Sequence, residues 1–262
     1  MSVTGLALFF LVCTAALQVF IMFRKHPAGD RLSHWLLLAA GILLLGVTVY
    51  RSIKIRFVAV TNTWESLVFF SAAVALVLFF FRFSKKDKVP PFLLFCGSLL
   101  SVVLLALASS PVASSELQPP IPALQSGWLV LHVIFSFIGE AFFTVSFAAA
   151  IAWLVSGDGG KRRQLEAVMY NAVSVGYPVF TAGALVFGAV WAEYAWGSFW
   201  SWDPKETWAL VTWLVYTAYL HGRLLRGMRG TLSAWLLIIG FILMVFTFFG
   251  VNFLLAGLHS YT

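Results

Sequence analysis

The residues best suited to chemistry are two histidines and a tryptophan-rich stretch. His132 lies in QSGWLVLHVIF and His259 in VNFLLAGLHSYT, while WGSFWSWDPKETW, residues 196–208, holds four tryptophans and two carboxylates. Neutral imidazole is a good ligand for haem iron, and the haem macrocycle is a flat apolar disc that aromatic walls can hold. Two axial histidines beside a tryptophan platform would therefore bind haem without covalent attachment.

Each of these residues also has a structural interpretation. A histidine at a helix end often satisfies a local hydrogen bond, which is the role expected of His26 and His34. Tryptophans are common at membrane interfaces, where the indole N–H stays hydrated while the ring is buried. Six of the 11 tryptophans lie between residues 191 and 213. An interface belt would spread them over both faces, so the sequence leaves both a platform and an anchor role open.

Transmembrane helices must position these residues. Of the 262 residues, 61% are hydrophobic and 10% are charged, and the mean hydropathy is +0.94. A membrane-spanning helix needs about 20 apolar residues. The sequence therefore predicts an all-α, polytopic membrane helix bundle of about eight transmembrane helices. These helices are expected to form one integral membrane domain over 1–262. The lipid bilayer is an expected partner of this domain, and nucleic acid is not. The spans are expected near 3–23, 34–50, 65–83, 91–109, 127–155, 173–192, 206–221 and 231–256.

The basic residues predict the orientation of these spans. Thirteen of the 17 lysines and arginines lie in the loops after spans one, three, five and seven. Cytoplasmic loops retain Lys and Arg, so both termini are expected on the outer (periplasmic) side. Arg51, Lys54 and Arg56 depart from this pattern, and a membrane-surface segment there would explain them. In this orientation His132 and His259 lie near the outer face, whereas His221 closes span seven at the inner face.

Local sequence also predicts the turn behind the tryptophans. Asp203 is a good N-cap, Pro204 suits the first helical position, and Glu206 can complete a capping box. Span seven would then begin at Pro204. The cap would fix the directions of Trp200 and Trp202.

Two further carboxylates and one loop complete the pattern. Glu140 lies in the middle of span five, eight residues from His132 and on a similar side of the helix. A carboxylate buried in a bilayer is costly, which favours a functional or a paired role. Glu65 is expected to act at the start of span three with Asn62 or Thr63. Residues 156–164, SGDGGKRRQ, predict a flexible connector.

The segment WAEYAWGSFWSWDPKETWALVTWLVYTAYLH resembles the tryptophan-rich "WWD" segment of the CcsA/ResC proteins of cytochrome c biogenesis (system II). TNTWESL, SGWLVLHV, YLHGR and VNFLLAGLHSY resemble other motifs of that family, in order over roughly residues 60–262. The resemblance implies a protein that takes haem b from the inner side, holds it at an outer site, and presents it to an apocytochrome c. It also implies a membrane partner of the CcsB/ResB type.

The resemblance assigns roles to individual residues. His132 and His259 would be the outer axial ligands, and His221 would be one ligand of an inner site whose other ligand comes from the partner. The WWD residues Trp196, Trp200, Trp202 and Asp203, in a tryptophan-rich segment at 191–208 expected on the outer face, would form the haem-contacting segment. Haem ligase activity would belong to the two-protein complex, in a bacterial inner (cytoplasmic) membrane or a thylakoid membrane. The alternatives are a HemX-like regulatory or scaffold protein without haem ligation and, from Glu140, a small-solute transporter.

Overall fold

Helices make up all the regular structure in the described parts of the chain, which are residues 2–23, 30–85, 89–111 and 113–255 of a computed structural model. This confirms the predicted all-α class. A short 3-10 turn, Pro122–Leu124, precedes the fifth helix. The helices are α1 Val3–Met22, α2 Leu32–Ile55, α3 Thr63–Lys85, α4 Pro91–Ala108, α5 Gly127–Val155, α6 Gly159–Phe180, α7 Gly188–Trp196, α8 Pro204–Arg226, α9 Thr231–Val245 and α10 Val251–Leu254.

Seven helical stretches within the described residues are long and apolar enough to cross a membrane. They comprise α1 to α5, the continuous helix Gly159–Trp196, and Thr231–Gly250. The protein is therefore a multi-pass membrane protein, as the composition predicts. Helix α8 corresponds to the predicted seventh span, and charged residues near both of its ends shorten its apolar part.

The chain divides into two compact units, Met1–Gln125 and Ser126–Thr262. In the first unit, α1 packs against α2 and α4, and α3 packs against the same two helices. Close packing uses small residues: a Cβ on Gly41 would lie 2.6 Å from the Leu76 side chain. The four helices thus form a closed ring of neighbours.

Arg51 is buried in the interior of the first unit. Its contacts there account for a basic residue that departs from the predicted distribution of Lys and Arg between the loops. Its guanidinium lies 3.2 Å from Glu65 and 4.5 Å above the Trp64 ring, and it donates to the carbonyl oxygens of Ser115 and Glu116 at 2.8 Å each. Helix α2 continues to Ile55, so Arg51 and Lys54 lie within that helix and not in a separate membrane-surface segment. Arg51 therefore connects α2 and α3 to the loop that follows α4.

In the second unit, α5 packs against α6 and α9, and α8 packs against the same two helices. Two π-helical turns interrupt this unit. Thr181–Phe187 joins α6 to α7, and Phe246–Gly250 joins α9 to α10. Single π-helical turns inside α-helices are often found at functional sites.

The predicted flexible connector at 156–164 is wrong, because α6 begins at Gly159. Asp158 caps this helix: its Oδ1 accepts hydrogen bonds from the backbone N–H groups of Gly160 (2.7 Å) and Lys161 (3.3 Å). These bonds hold the pKa of Asp158 below its usual value. The cap and the good helix formers after it outweigh the glycine pair.

Candidate functional site

His132 lies in the second turn of α5, half-buried, at the end of the second unit where α5 begins. Its Nδ1 is 2.9 Å from the backbone oxygen of Gly183. A carbonyl oxygen can only accept, so this contact assigns the proton to Nδ1 of the neutral ring. The metal-binding lone pair of such an imidazole is then on Nε2. Metal-ligating histidines characteristically donate their other ring N–H in this way.

Two glycines allow the helix Gly159–Trp196 to pass this close to α5. A Cβ on Gly188 would lie 3.0 Å from Nδ1 of His132, and a Cβ on Gly183 would lie 2.7 Å from the carbonyl carbon of Phe135. Gly188 N–H also donates to Gly183 O, which is the five-residue hydrogen bond of the π-turn. The Gly183 carbonyl therefore serves both the helix and the imidazole.

Tryptophans line one side of His132. Trp191 is 2% exposed, and its ring lies nearly parallel to the imidazole, with centroids 6.1 Å apart and an interplanar angle of 9°. Trp196 meets Trp191 edge-on at 5.8 Å. The structure thus brings His132 and Trp196 together through Trp191.

Trp200 and Trp202 form a second aromatic pair, with rings perpendicular at 89° and centroids 5.7 Å apart. Trp202 is 69% exposed, and its backbone has φ of 60°, in the left-handed region that non-glycine residues rarely adopt. The hydroxyl of Thr207 donates to the Trp202 carbonyl at 3.3 Å. The turn therefore presents the large Trp202 side chain outward.

The predicted capping box at the start of α8 is confirmed. Asp203 Oδ1 accepts from the N–H of Lys205 at 2.9 Å, and the Glu206 carboxylate accepts from the N–H groups of Ser201 (2.8 Å) and Asp203 (3.3 Å). Asp203 is 6% exposed. Glu206 thus bonds the backbone on both sides of Trp202.

Helix α8 also contacts the π-turn at Thr181–Phe187. Nε1 of Trp213 donates to Oγ1 of Thr181 at 2.9 Å, and the Trp213 ring stacks on Tyr177. At the second π-turn, Trp208 meets Phe246 edge-on at 4.6 Å. Both π-turns are therefore packed against tryptophans of α8.

Of the remaining predicted histidines, the one that the structure describes is not brought to this site. His221 is exposed near the end of α8, seventeen residues beyond Pro204, or about 26 Å along the helix. His259 lies outside the described residues. Among the residues the structure describes, no group of three or more His, Cys, Asp or Glu side chains could hold a metal ion. Metal binding here would rest on individual imidazoles.

Two predicted carboxylates differ in their surroundings. Glu65 acts at a helix start with Asn62, as predicted: Asn62 Oδ1 accepts from the Glu65 N–H at 2.9 Å. Glu140 is 7% exposed, and its Oε2 has no hydrogen-bond partner in the described chain. Glu140 lies about 12 Å along α5 from His132.

Sequence reasoning missed Gly183, Gly188 and the role of Trp191. The glycines are five residues apart, which is the spacing of the π-helical hydrogen bond. That spacing was the available signal in the sequence. It indicates a close contact only once α5 is known to pack against these two glycines.

The family model described as "Cytochrome C assembly protein" matches residues 60–259, which include every histidine and tryptophan of this site. The chain belongs to this family. Relatives named "Cytochrome c biogenesis protein CcsA" include those of Parasynechococcus marenigrum (strain WH8102), with 33% identity over 99% of this chain and 96% of the relative, and Chlamydomonas reinhardtii, with 37% identity over 85% of this chain. The chain spans 66% of the length of the algal protein. Family membership gives the chain a role in cytochrome c biogenesis.

Proposed function

We propose that this chain holds haem b non-covalently at the end of the second unit where α5 begins and presents it there for attachment to an apocytochrome c. The observation that supports this proposal is the His132 Nδ1 contact with Gly183 O at 2.9 Å. It orients the imidazole and assigns the ligand lone pair to Nε2.

The surrounding residues fit a flat, apolar cargo. Trp191 lies parallel to the imidazole, and Trp196 meets Trp191. Trp200 and Trp202 form a pair nearby in the sequence, of which Trp202 is exposed. His259 would supply the second axial ligand.

The bond-making chemistry belongs to the cargo and the apocytochrome. Each thiol of a CxxCH motif adds across one vinyl group, its sulfur to one carbon and its hydrogen to the other, so no oxidant is consumed. The chain's own residues position the reacting groups: the histidines hold the iron, and the tryptophans hold the ring with its vinyl edge accessible. The histidine of the CxxCH motif then replaces one axial ligand.

The remaining parts of the proposal concern the partner and the membrane. His221, exposed at the far end of α8, would be one ligand of an inner site, completed by a CcsB/ResB-type membrane protein. The predicted orientation places His132 on the outer side of a bacterial inner membrane, or of a thylakoid membrane. Ligase activity would require both proteins.

The test is the absorption spectrum of the protein purified after co-expression with its partner. We expect a six-coordinate, low-spin haem spectrum in the wild type, altered in His132→Ala and in His259→Ala. His34→Ala, which changes a histidine in the first unit, is the control and should leave the spectrum unchanged. Unaltered spectra and unimpaired cytochrome maturation in the double variant His132→Ala/His259→Ala would contradict the proposal.

The competing function is a HemX-like regulatory or scaffold protein that does not ligate haem. It predicts a colourless protein even when haem is supplied during expression. In that case the tryptophans would act as membrane-interface anchors.

A further inference from the structure

A second cluster lies at the opposite end of the second unit, where α5 ends and α6 begins. Trp153 of α5 is 8% exposed, and the guanidinium of Arg162 lies 4.5 Å above its ring. The indole Nε1 of Trp153 and the Nε of Arg162 are both buried and have no hydrogen-bond partner among the described residues. Two stacked side chains thus each leave one N–H donor without a partner in the described chain. Buried donors are normally paired, so this arrangement calls for an acceptor.

The Glu166 carboxylate, one turn after Arg162 in α6, is already engaged. Glu166 accepts from Arg223 Nη1 at 3.4 Å and from the backbone N–H of Gly230 at 3.1 Å, and it lies 4.0 Å from Arg229 Nε. Gly230 connects this network to the first pair, because its Cβ position lies 3.8 Å from the Trp153 ring. Arg162 forms no ion pair within the described chain. Two arginines therefore share the Glu166 carboxylate and Arg162 has no ion-pair partner in the described chain, so the cluster carries an excess of positive charge.

The surroundings are those of a membrane surface. Val155, two residues after Trp153, is 75% exposed and offers an apolar surface beside the cluster. Lys161 and Arg163 are exposed on the first turns of α6. In the predicted orientation this end faces the cytoplasm, where anionic lipids are concentrated in the leaflet.

We propose that Trp153 and Arg162 form a binding site for the phosphate group of an anionic phospholipid. The phosphate oxygens accept hydrogen bonds from the indole and guanidinium N–H groups, and the excess positive charge favours an anionic headgroup over a zwitterionic one. The acyl chains lie against the apolar surface at Val155. This site is independent of haem ligation by His132.

The test is native mass spectrometry of the full chain, purified without haem, with phosphatidylglycerol or phosphatidylcholine of the same acyl chains added. We expect the wild type to retain phosphatidylglycerol preferentially. Trp153→Phe removes the N–H donor but keeps a ring for Arg162, and Arg162→Gln removes the charge. Each should weaken phosphatidylglycerol binding by about tenfold, the effect of one hydrogen bond to a charged group.

Arg163→Gln is the matched control, because it removes the same charge from the adjacent, exposed position. It should retain phosphatidylglycerol as the wild type does, and circular dichroism should show that all three variants keep their helix content. Equal binding of the two lipids, or equal losses in Arg162→Gln and Arg163→Gln, would overturn the proposal. The same measurement on haem-loaded protein separates the lipid from haem as the acceptor. If Arg162→Gln changed lipid selectivity only in the haem-loaded protein, the acceptor would belong to haem and the proposal would be overturned.

Discussion

Gly188 allows the helix Gly159–Trp196 to approach His132 closely, because it has no side chain. A Cβ at this position would lie 3.0 Å from the imidazole Nδ1 and 3.2 Å from Cε1. The methyl group of alanine would therefore push the ring away from the Gly183 carbonyl. Gly188 thus leaves room for the hydrogen bond that orients the proposed ligand, although it has no side chain of its own.

We expect Gly188→Ala to weaken haem retention about fivefold, since a net hydrogen bond contributes about 1 kcal/mol. The measurement is the rate of haem transfer from the purified complex to an apo-globin acceptor. Gly46→Ala is the matched control, because nothing lies within 4 Å of a Cβ at Gly46. Identical rates for the two variants would show that the Gly183 contact does not support haem binding.

Glu206 controls the direction of Trp202 without contacting its ring. Its carboxylate accepts from the N–H groups of Ser201 and Asp203, which flank Trp202. We expect Glu206→Ala to destabilise the start of α8 by about 1 kcal/mol, the usual effect of losing a cap. It should also change the near-ultraviolet circular dichroism of the tryptophans. Glu206→Gln retains one acceptor oxygen and should partly restore both. Glu193→Ala, an exposed glutamate at the same end, should change neither.

At the level of elements, the sequence predicts the features that depend only on residues close together in the chain. Asp203-Pro204-Lys205-Glu206 contains all the groups of its capping box, so the start of α8 could be predicted. The π-turn at Thr181–Phe187 could not, because an apolar run looks the same in hydropathy whether its turns are α or π. The ion pair between Arg51 and Glu65 joins two helices, and charge counting alone assigned Arg51 to a loop.

We expect Arg51→Met to destabilise the first unit by about 3–5 kcal/mol, because it leaves the Glu65 carboxylate buried without its counter-charge. Thermal unfolding in detergent, followed by helix content, is the measurement. The double variant Arg51→Met/Glu65→Leu should recover part of the loss, since both charges are then absent. Lys54→Ala, at an exposed position on the same helix, should stay within about 0.5 kcal/mol of the wild type. An equally mild effect of Arg51→Met would contradict the structural role.

At the scale of the whole molecule, the division at Gln125 and Ser126 separates two units that each close their own ring of helices. The predicted site residues His132, Trp196, Trp200, Trp202, Asp203 and His221 all belong to the second unit. Composition predicted a membrane protein but gave no sign of this division, because both units contain apolar helices long enough to cross a membrane. The division depends on which helices pack together.

We expect a protease site inserted between Gln118 and Pro119, both exposed, to be cleaved without loss of helix content, because the connection carries none of the helices. Circular dichroism before and after cleavage is the measurement. An insertion of the same length between Ala192 and Glu193, inside α7, is the comparison and should lower helix content. A large loss of helix after cleavage at 118 would show that the units depend on a continuous chain.

The π-turn at Thr181–Phe187 determines the direction in which the later side chains of the helix point around its axis. One residue corresponds to about 100° of rotation around an α-helix. Trp191 faces His132 because the chain accommodates one extra residue between Phe180 and Gly188. Deletion of Val186, an exposed residue of this turn, would rotate Trp191 away from the imidazole while leaving composition and hydropathy almost unchanged. The number of residues between Gly183 and Trp191 therefore determines which side chain faces His132.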